Sequence, residues 1–144
     1  MSTYRATVAS TWSPEDVFAY LARFSNAAKW DPGVLTSEDT EPGSPRCGST
    51  YRLVVWALGR RVPLEYRIEE IDPPRRVVLH AENSAIRSTD VIEVSPAPGG
   101  GSTVTYKATI RAKGGAALLT PLVGVALRRI GDRAAAGLRA ALAA

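Results

Sequence analysis

The feature that most constrains this chain is the amphipathic run from Leu118 to Leu142. Leu119, Val123, Ala126, Ile130, Ala134, Gly137 and Ala141 recur at spacings of three and four, and Leu122, Leu127, Leu138 and Leu142 widen the stripe. Arg128, Arg129, Asp132 and Arg139 fall on the other side, with Arg133 nearer the border. The spacing predicts one helix of roughly 35 Å, at about 1.5 Å of rise per residue. Thr120 stands where a cap is wanted, and Pro121 at the first helical position, where its missing N–H does no harm. Gly114 and Gly115 would end the preceding strand. Gly124, Gly131 and Gly137 lower the intrinsic helix preference, so packing must hold the helix together. Almost everything else reads as strand, and a wide apolar helix face needs a broad partner. The fold class expected is α+β, with a curved antiparallel sheet under the helix.

Thr3 to Ser10 alternates as a first strand, not expected to be an outermost one. Ser13-Pro14-Glu15-Asp16 is a helix start, followed by the short apolar face of Val17, Phe18, Tyr20, Leu21 and Phe24. Asn26 to Trp30 makes a second turn or short helix ended by Pro32. Val34 to Thr40 is a weak strand near an open rim, and Pro42 to Gly48 is a turn by composition. Strands then follow at Thr50–Leu58, Arg61–Ile71, Arg76–Asn83, Ile86–Ser95 and Ser102–Ala112, joined by short turns. That is a meander whose sequential strands are antiparallel neighbours.

Aligning apolar with apolar residues fixes a register for each hairpin. Tyr66 opposite Leu79 sets Ile68 beside Val77 and Leu64 beside Ala81. It also places Glu69 against Arg76 and Glu65 against His80 on the outer face. Leu79 opposite Asp90 gives Val77 with Ile92 and Glu82 with Arg87; Ile92 opposite Tyr106 gives Val94 with Val104 and Asp90 with Ala108. Leu53 pairs with Tyr66 across Gly59-Arg60, so Leu53, Tyr66, Leu79, Asp90 and Ala108 form one row facing the helix. Asp90 is the surprising member. A carboxylate there needs a partner or water, because a buried unpaired charge is costly or loses its ionisation. Tyr106 lies diagonally across from it, Tyr66 two strands away, and Ser88 two residues back on the same face. Either the hairpin bulges and Asp90 points to solvent, or the interior holds a cavity with these side chains as its polar spots.

The opening "SPEDVFAYLARFSNAAKWDPGV", the "LEYRIEEIDPPRRVVL" and "STDVIEVSPAPGGGSTVTYKATI" hairpins and the terminal helix together resemble the START/Bet v 1-like (SRPBCC) superfamily, in its bacterial polyketide cyclase/dehydrase and lipid-transport branch. The resemblance covers essentially the whole chain, 1–144, as a single ligand-binding domain. It implies a helix-grip fold: a seven-stranded antiparallel sheet around the C-terminal helix, with two short helices after the first strand. It also implies a cavity for apolar or aromatic molecules, in a family of carriers, receptors and cyclases. No catalytic set of the family can be matched to this sequence residue by residue.

The rest of the inventory narrows the chemistry. Cys47 is the only cysteine and His80 the only histidine, so neither a disulfide nor a zinc site is expected, nor any cofactor. A net charge of +4, thinly spread over 144 residues, does not argue for nucleic acid. No apolar run reaches about 18 residues, and the N-terminal stretch is polar and alternating, so a cytoplasmic protein without a transmembrane segment is expected. Gly99-Gly100-Gly101 is a hairpin turn, without the lysine of a phosphate loop. His80 and Asp90 fall on opposite faces, which disfavours a serine-nucleophile arrangement. Glu65, Glu69, Glu82 and Glu93 face outward, and Glu70, of inward parity, is expected at a wet rim.

What remains is a lone pocket acid. Candidate catalytic residues are Asp90 as acid/base, with Tyr66 or Tyr106 binding a carbonyl oxygen. Candidate cavity residues are Trp30, Leu53, Tyr66, Leu79, Ser88, Asp90, Ile92, Tyr106, Ile110, Leu119 and Val123. Three functions compete: binding of a small apolar or aromatic ligand, a cyclase or dehydratase, and a structural or regulatory protein without a cavity. Trp12 is expected to staple against Val17. Trp56, Val54 and Leu58 make an outward apolar strip that predicts a homodimer through this face.

Overall fold

The computed structural model describes residues 1–57 and 59–143, and among these the chain forms seven strands and three helices joined by turns. Strand β1 (Ser2–Ser10) leads into helix α1 (Pro14–Ala22), a 3-10 turn (Phe24–Asn26) and helix α2 (Ala27–Trp30). The meander follows as β2 (Val34–Asp39), β3 (Thr50–Ala57), β4 (Arg60–Asp72), β5 (Arg76–Glu82), β6 (Ile86–Pro96) and β7 (Ser102–Ala112). A second 3-10 turn (Gly114–Leu119) then feeds helix α3 (Thr120–Leu142). The strands form one seven-stranded sheet in the order β1-β7-β6-β5-β4-β3-β2, antiparallel throughout. This is the helix-grip α+β architecture.

Contrary to expectation, β1 is an outermost strand: it pairs with β7 alone. Its bare edge is dealt with by α3, which lies along it. The Tyr4 hydroxyl donates to Asp132 at 2.7 Å, and the Ser10 hydroxyl donates to the Leu142 carbonyl at 2.9 Å. A methyl group at Gly131 would collide with the Tyr4 ring, so glycine permits the close approach. Covering an edge with a helix is one of the ways a sheet avoids pairing with another chain.

The β5/β6 and β6/β7 registers are those expected, including Leu79↔Asp90, Val77↔Ile92, Glu82↔Arg87, Ile92↔Tyr106 and Asp90↔Ala108. The two hairpins before them are slipped by two residues. Tyr66 pairs with Ala81 and Ile68 with Leu79, not Tyr66 with Leu79, Ile68 with Val77 or Leu64 with Ala81. Leu53 pairs with Leu64 and Tyr51 with Tyr66, because the hairpin closes on Ala57↔Arg60. A bulge between Ile68 and Glu70 shifts the pairing by one further residue towards the turn, where Asp72 meets Arg76. The expected outer ion pairs therefore change. Glu65 faces Arg52, His80 faces Arg67, and Arg76 meets Glu70 at 3.5 Å and Glu93 at 3.4 Å in place of Glu69. At the bulge Glu69 and Glu70 are both exposed. A slip of two preserves the faces, since side chains alternate with period 2. Leu53, Leu64, Tyr66, Ile68 and Leu79 all stay buried. Its consequence lies in the rows: Ser88, not Asp90, shares the row of Tyr66 through Ala81.

Ser13 caps α1, its hydroxyl accepting the Asp16 N–H at 3.2 Å, with Pro14 at the first turn. The Trp12 ring packs edge-on against Tyr20, at 5.5 Å between centroids. At α3 the expected cap is displaced. Leu119 holds the cap position, while Thr120 is already helical and donates its hydroxyl to the Ala117 carbonyl at 2.6 Å. The 3-10 turn runs straight into the helix, leaving no extended residue where a threonine cap could sit. The buried line on α3 is Leu127, Gly131, Ala135, Leu138 and Leu142, rotated one residue from the centre of the apolar stripe. Arg128, Arg129, Asp132 and Arg139 are exposed. Trp56 is half exposed at 50 % and Val54 half-buried; Leu58, the third member of the expected outer strip, lies outside the described residues. Among the described residues no helix is long and apolar enough to cross a membrane.

Candidate ligand cavity

The rotation of α3 leaves part of its apolar stripe facing space. Val123, Ala126, Ile130 and Ala134 look onto a cavity of about 680 Å³ between the helix and the sheet. Small side chains at Ala126 and Ala134 keep it open, while Leu138 and Leu142 fill the far end of the same helix. At the closed end a methyl group on Gly137 would strike the Trp30 carbonyl oxygen, so glycine lets α2 and α3 meet there. The mouth lies between the β3–β4 hairpin tip (Trp56, Arg60), the β5–β6 turn (Asn83 to Ile86) and the approach to α3 (Ala116, Leu119). This volume goes against the last of the three competing functions, a structural or regulatory protein with the helix packed tightly on the sheet and no cavity.

The wall is mostly apolar, with one polar cluster. Asp90, only 6 % exposed, receives a hydrogen bond from the Tyr106 hydroxyl on Oδ2, and Ser88 Oγ lies 3.5 Å from Oδ1. Ser88 Oγ is also 3.0 Å from the Tyr66 hydroxyl. The row arithmetic explains this chain: Ser88 and Tyr66 flank Ala81, and Tyr106 is diagonal to Asp90. Aromatic rings brace it, Trp30 edge-on to Tyr106 at 5.5 Å and Phe24 edge-on to Tyr66 at 4.9 Å. The Trp30 indole N–H is buried with no acceptor among the described residues.

Burial pushes the Asp90 carboxyl up to about 7; the nearby negative charge of Asp31 adds to the rise, and the hydrogen bonds from Tyr106 and Ser88 hold it back. Asp90 therefore stands where it can hold or release a proton near neutrality. Both tyrosine hydroxyls are driven well above their ordinary range by burial first, then by the Asp90 charge. They are donors throughout the physiological range.

Trp30, Leu53, Tyr66, Ser88, Asp90, Tyr106, Ile110, Leu119 and Val123 all border the cavity. Leu79 and Ile92 do not: both are completely buried in the packed core, Leu79 opposite Asp90 on β5 and Ile92 two residues beyond it on β6, where α1 covers that strand. The cavity also presents a residue that sequence reasoning passed over. Asp31 borders it, accepts the Gly33 N–H at 2.8 Å, and is raised by burial to about 6 against that hydrogen bond. The signal was available in Asp31-Pro32-Gly33, a turn sequence whose aspartate bonds its own backbone two residues on. His80 lies on the outer face, bonded to Thr89 at 3.0 Å, with Glu82 and not Glu65 as its nearest carboxylate at 3.5 Å. Among the described residues no group of three or more His, Cys, Asp and Glu side chains converges as metal ligands would.

Residues 1–143 match the sequence profile of the family described as "Polyketide cyclase / dehydrase and lipid transport". The chain belongs to this family. Solved structures agree on its START/Bet v 1-like fold. A START superfamily protein from Mycobacterium smegmatis is 14% identical, with a TM-score of 0.80 over 99% of this chain and 97% of that one. A protein of Thermus thermophilus is 19% identical, with a TM-score of 0.79 over 97% of this chain and 96% of its own. The Zhui aromatase/cyclase from a Streptomyces species is 12% identical, with a TM-score of 0.80 over 97% of this chain and 92% of that one. No curated protein matches the sequence. Identities this low carry the fold and leave the activity of this family member to its own cavity.

Proposed function

We propose that this family member binds a small apolar or aromatic molecule, polyketide- or lipid-like, between the sheet and α3. The observation that carries the reading is the cavity of about 680 Å³ with an apolar wall and a single convergent polar cluster at Asp90. Pockets that hold small molecules combine those two properties. Asp90, Ser88, Tyr66 and Tyr106 would orient a hydroxyl or carbonyl of the ligand, and Trp30 and Phe24 would contact its rings. The ring count of the ligand is set by the space under Val123, Ala126 and Ile130.

A second reading is favoured by Asp90 titrating near neutrality within reach of a hydroxyl donor. In a cyclase or dehydratase of this design, the Asp90 carboxylate takes the proton next to a ligand carbonyl. Tyr66 or Tyr106 donates a hydrogen bond to the oxygen as the enolate forms. Asp90 then returns the proton to a departing hydroxyl, which leaves as water. Proton and water balance, and no further reactant is required.

One experiment separates the two. Wild type and Asp90→Asn are incubated with a panel of polyketide-like and lipid ligands, and binding and product are followed together. Binding without turnover by either form supports the carrier or receptor reading. Turnover that the variant loses while still binding identifies an enzyme, because the carboxylate then acts in the transition state. Failure of every ligand to bind defeats the leading reading. A cytoplasmic location, no nucleic-acid partner and a homodimer through the outer face of β3 around Trp56 complete the proposal. A single monomeric species in sedimentation at micromolar concentration would remove the dimer from it.

A further inference from the structure

The ionisable side chains around the cavity are not mixed. Asp31 and Asp90 lie inside it, and Arg60 and Arg61 lie at the hairpin that forms one side of its mouth. Across the mouth, the basic side chains are already engaged: Glu82 takes Arg87 at 2.8 Å and Lys113 at 3.0 Å, and Lys113 also donates to the Asn83 carbonyl at 2.9 Å. Arg60 and Arg61 differ. Their cross-strand neighbours are Ala57 and Trp56, and neither guanidinium has an ion-pair or hydrogen-bond partner among the described residues. Arg60 shares the strand parity of Val62, Leu64 and Tyr66, which points it along the cavity side of the sheet.

We propose that the cavity is a polarised receptor for a ligand with an apolar ring body and an anionic end, bound with the anion at the mouth on Arg60 and Arg61. The inference rests on the cavity being a ligand site. A carboxylate, phosphate or sulfonate directed inward would meet Asp31 and Asp90 with no cation beside it, at a cost that burial magnifies. The same group at the mouth meets the unpaired guanidinium of Arg60, whose fork of N–H donors suits such oxygens, with the charge of Arg61 at the next position of the strand adding to the attraction. The inner end of the ligand is left to carry neutral donors, hydroxyl or phenol, toward Asp90. The arrangement therefore fixes which way round the molecule enters.

The test uses two fluorescent probes that share one ring frame, 1-anilinonaphthalene-8-sulfonate and the uncharged N-phenyl-1-naphthylamine. Wild type is expected to bind the sulfonate more tightly by about fivefold at low salt, the scale of a partly exposed charge pair. The sulfonate should displace the neutral probe, and the preference should shrink as salt screens it. In R60E/R61E the ratio should fall to one or below; the hairpin tip is exposed, so the substitution is not expected to disturb the core. A126W, which fills the space under α3, should abolish both. Equal affinities in wild type, a preference that survives R60E/R61E, or a sulfonate that fails to displace the neutral probe would each overturn the proposal while leaving a ligand cavity intact. If neither probe binds wild type, the cavity reading fails and this inference fails with it.

Discussion

The two halves of α3 carry the same apolar stripe and put it to different uses. In the C-terminal half, Leu138 and Leu142 are buried to 1 % and 0 %, and Gly137 closes on Trp30. In the N-terminal half and the turn before it, Leu119, Leu122 and Val125 are 45 %, 58 % and 54 % exposed, and Val123 and Ala126 border open volume. One half is an anchor and the other a roof. Apolar periodicity thus tells where a helix can be buried, and the neighbouring elements decide where it is. Here α1 and α2 crowd one end of the sheet and leave the other end empty.

The contrast can be broken most severely at the anchor. Leu138→Ala should cost about 3–4 kcal/mol of stability, as truncation of a fully buried leucine does, and urea denaturation will read it. Asp90→Asn comes next. Its carboxyl rises from 3.8 to about 7 on folding, so folding favours the neutral form. The stability this group contributes is complete below about pH 3.8 and is lost as pH rises through about 7. The variant should be flatter with pH and more stable than wild type at pH 8, by on the order of 3 kcal/mol. Asp31, raised to about 6, acts in the same direction and should leave a smaller residual slope in the variant. Ala126→Leu on the roof adds volume where volume is free, so stability should change by less than about 1 kcal/mol while the largest ligands are excluded. Leu122→Ala, on the exposed side, should alter thermal stability by no more than about 0.5 kcal/mol. A cost at Leu122 approaching that at Leu138 would mean the roof is packed as the anchor is.

The same contrast marks how much could be read in advance. The meander, the Ser13 cap and the β5/β6/β7 registers were legible, because each rests on local chemistry or on apolar rows that fit in one way. The β4/β5 pairing was not. A slip of two keeps Tyr66, Ile68 and Leu79 inside either way, and opposite charges on a wet face are too weak to choose between registers. The bulge at Glu69 leaves no mark in the alternation before Ile68. Asp90 was found because it interrupts an apolar face. Asp31 sits in a turn, where an aspartate is ordinary and nothing in the spacing marks it; its place at the cavity goes with the packing of the adjacent Trp30 against Tyr106. Leu79 and Ile92 share the parity of the cavity residues and yet lie in the packed core, because parity gives a face and no depth. The one-residue rotation of α3 lies beyond a stripe as wide as this one, which is apolar on both sides of its centre.

The pairing of β1 with β7 also bears on time. Ser2 lies opposite Ile110 and Ser10 opposite Ser102, so every rung of that ladder joins residues separated by most of the chain. The helix that covers the edge is later still, and its Leu142 carbonyl returns to Ser10. Loop-closure entropy must be met before any of these contacts is made, whereas the β3-to-β7 hairpins need only short loops. On a ribosome, the hairpins can form while β1 waits without a neighbour, its edge open to other chains. Refolding of the whole molecule should therefore be limited by the arrival of β7 and α3 at a strand made first and paired last.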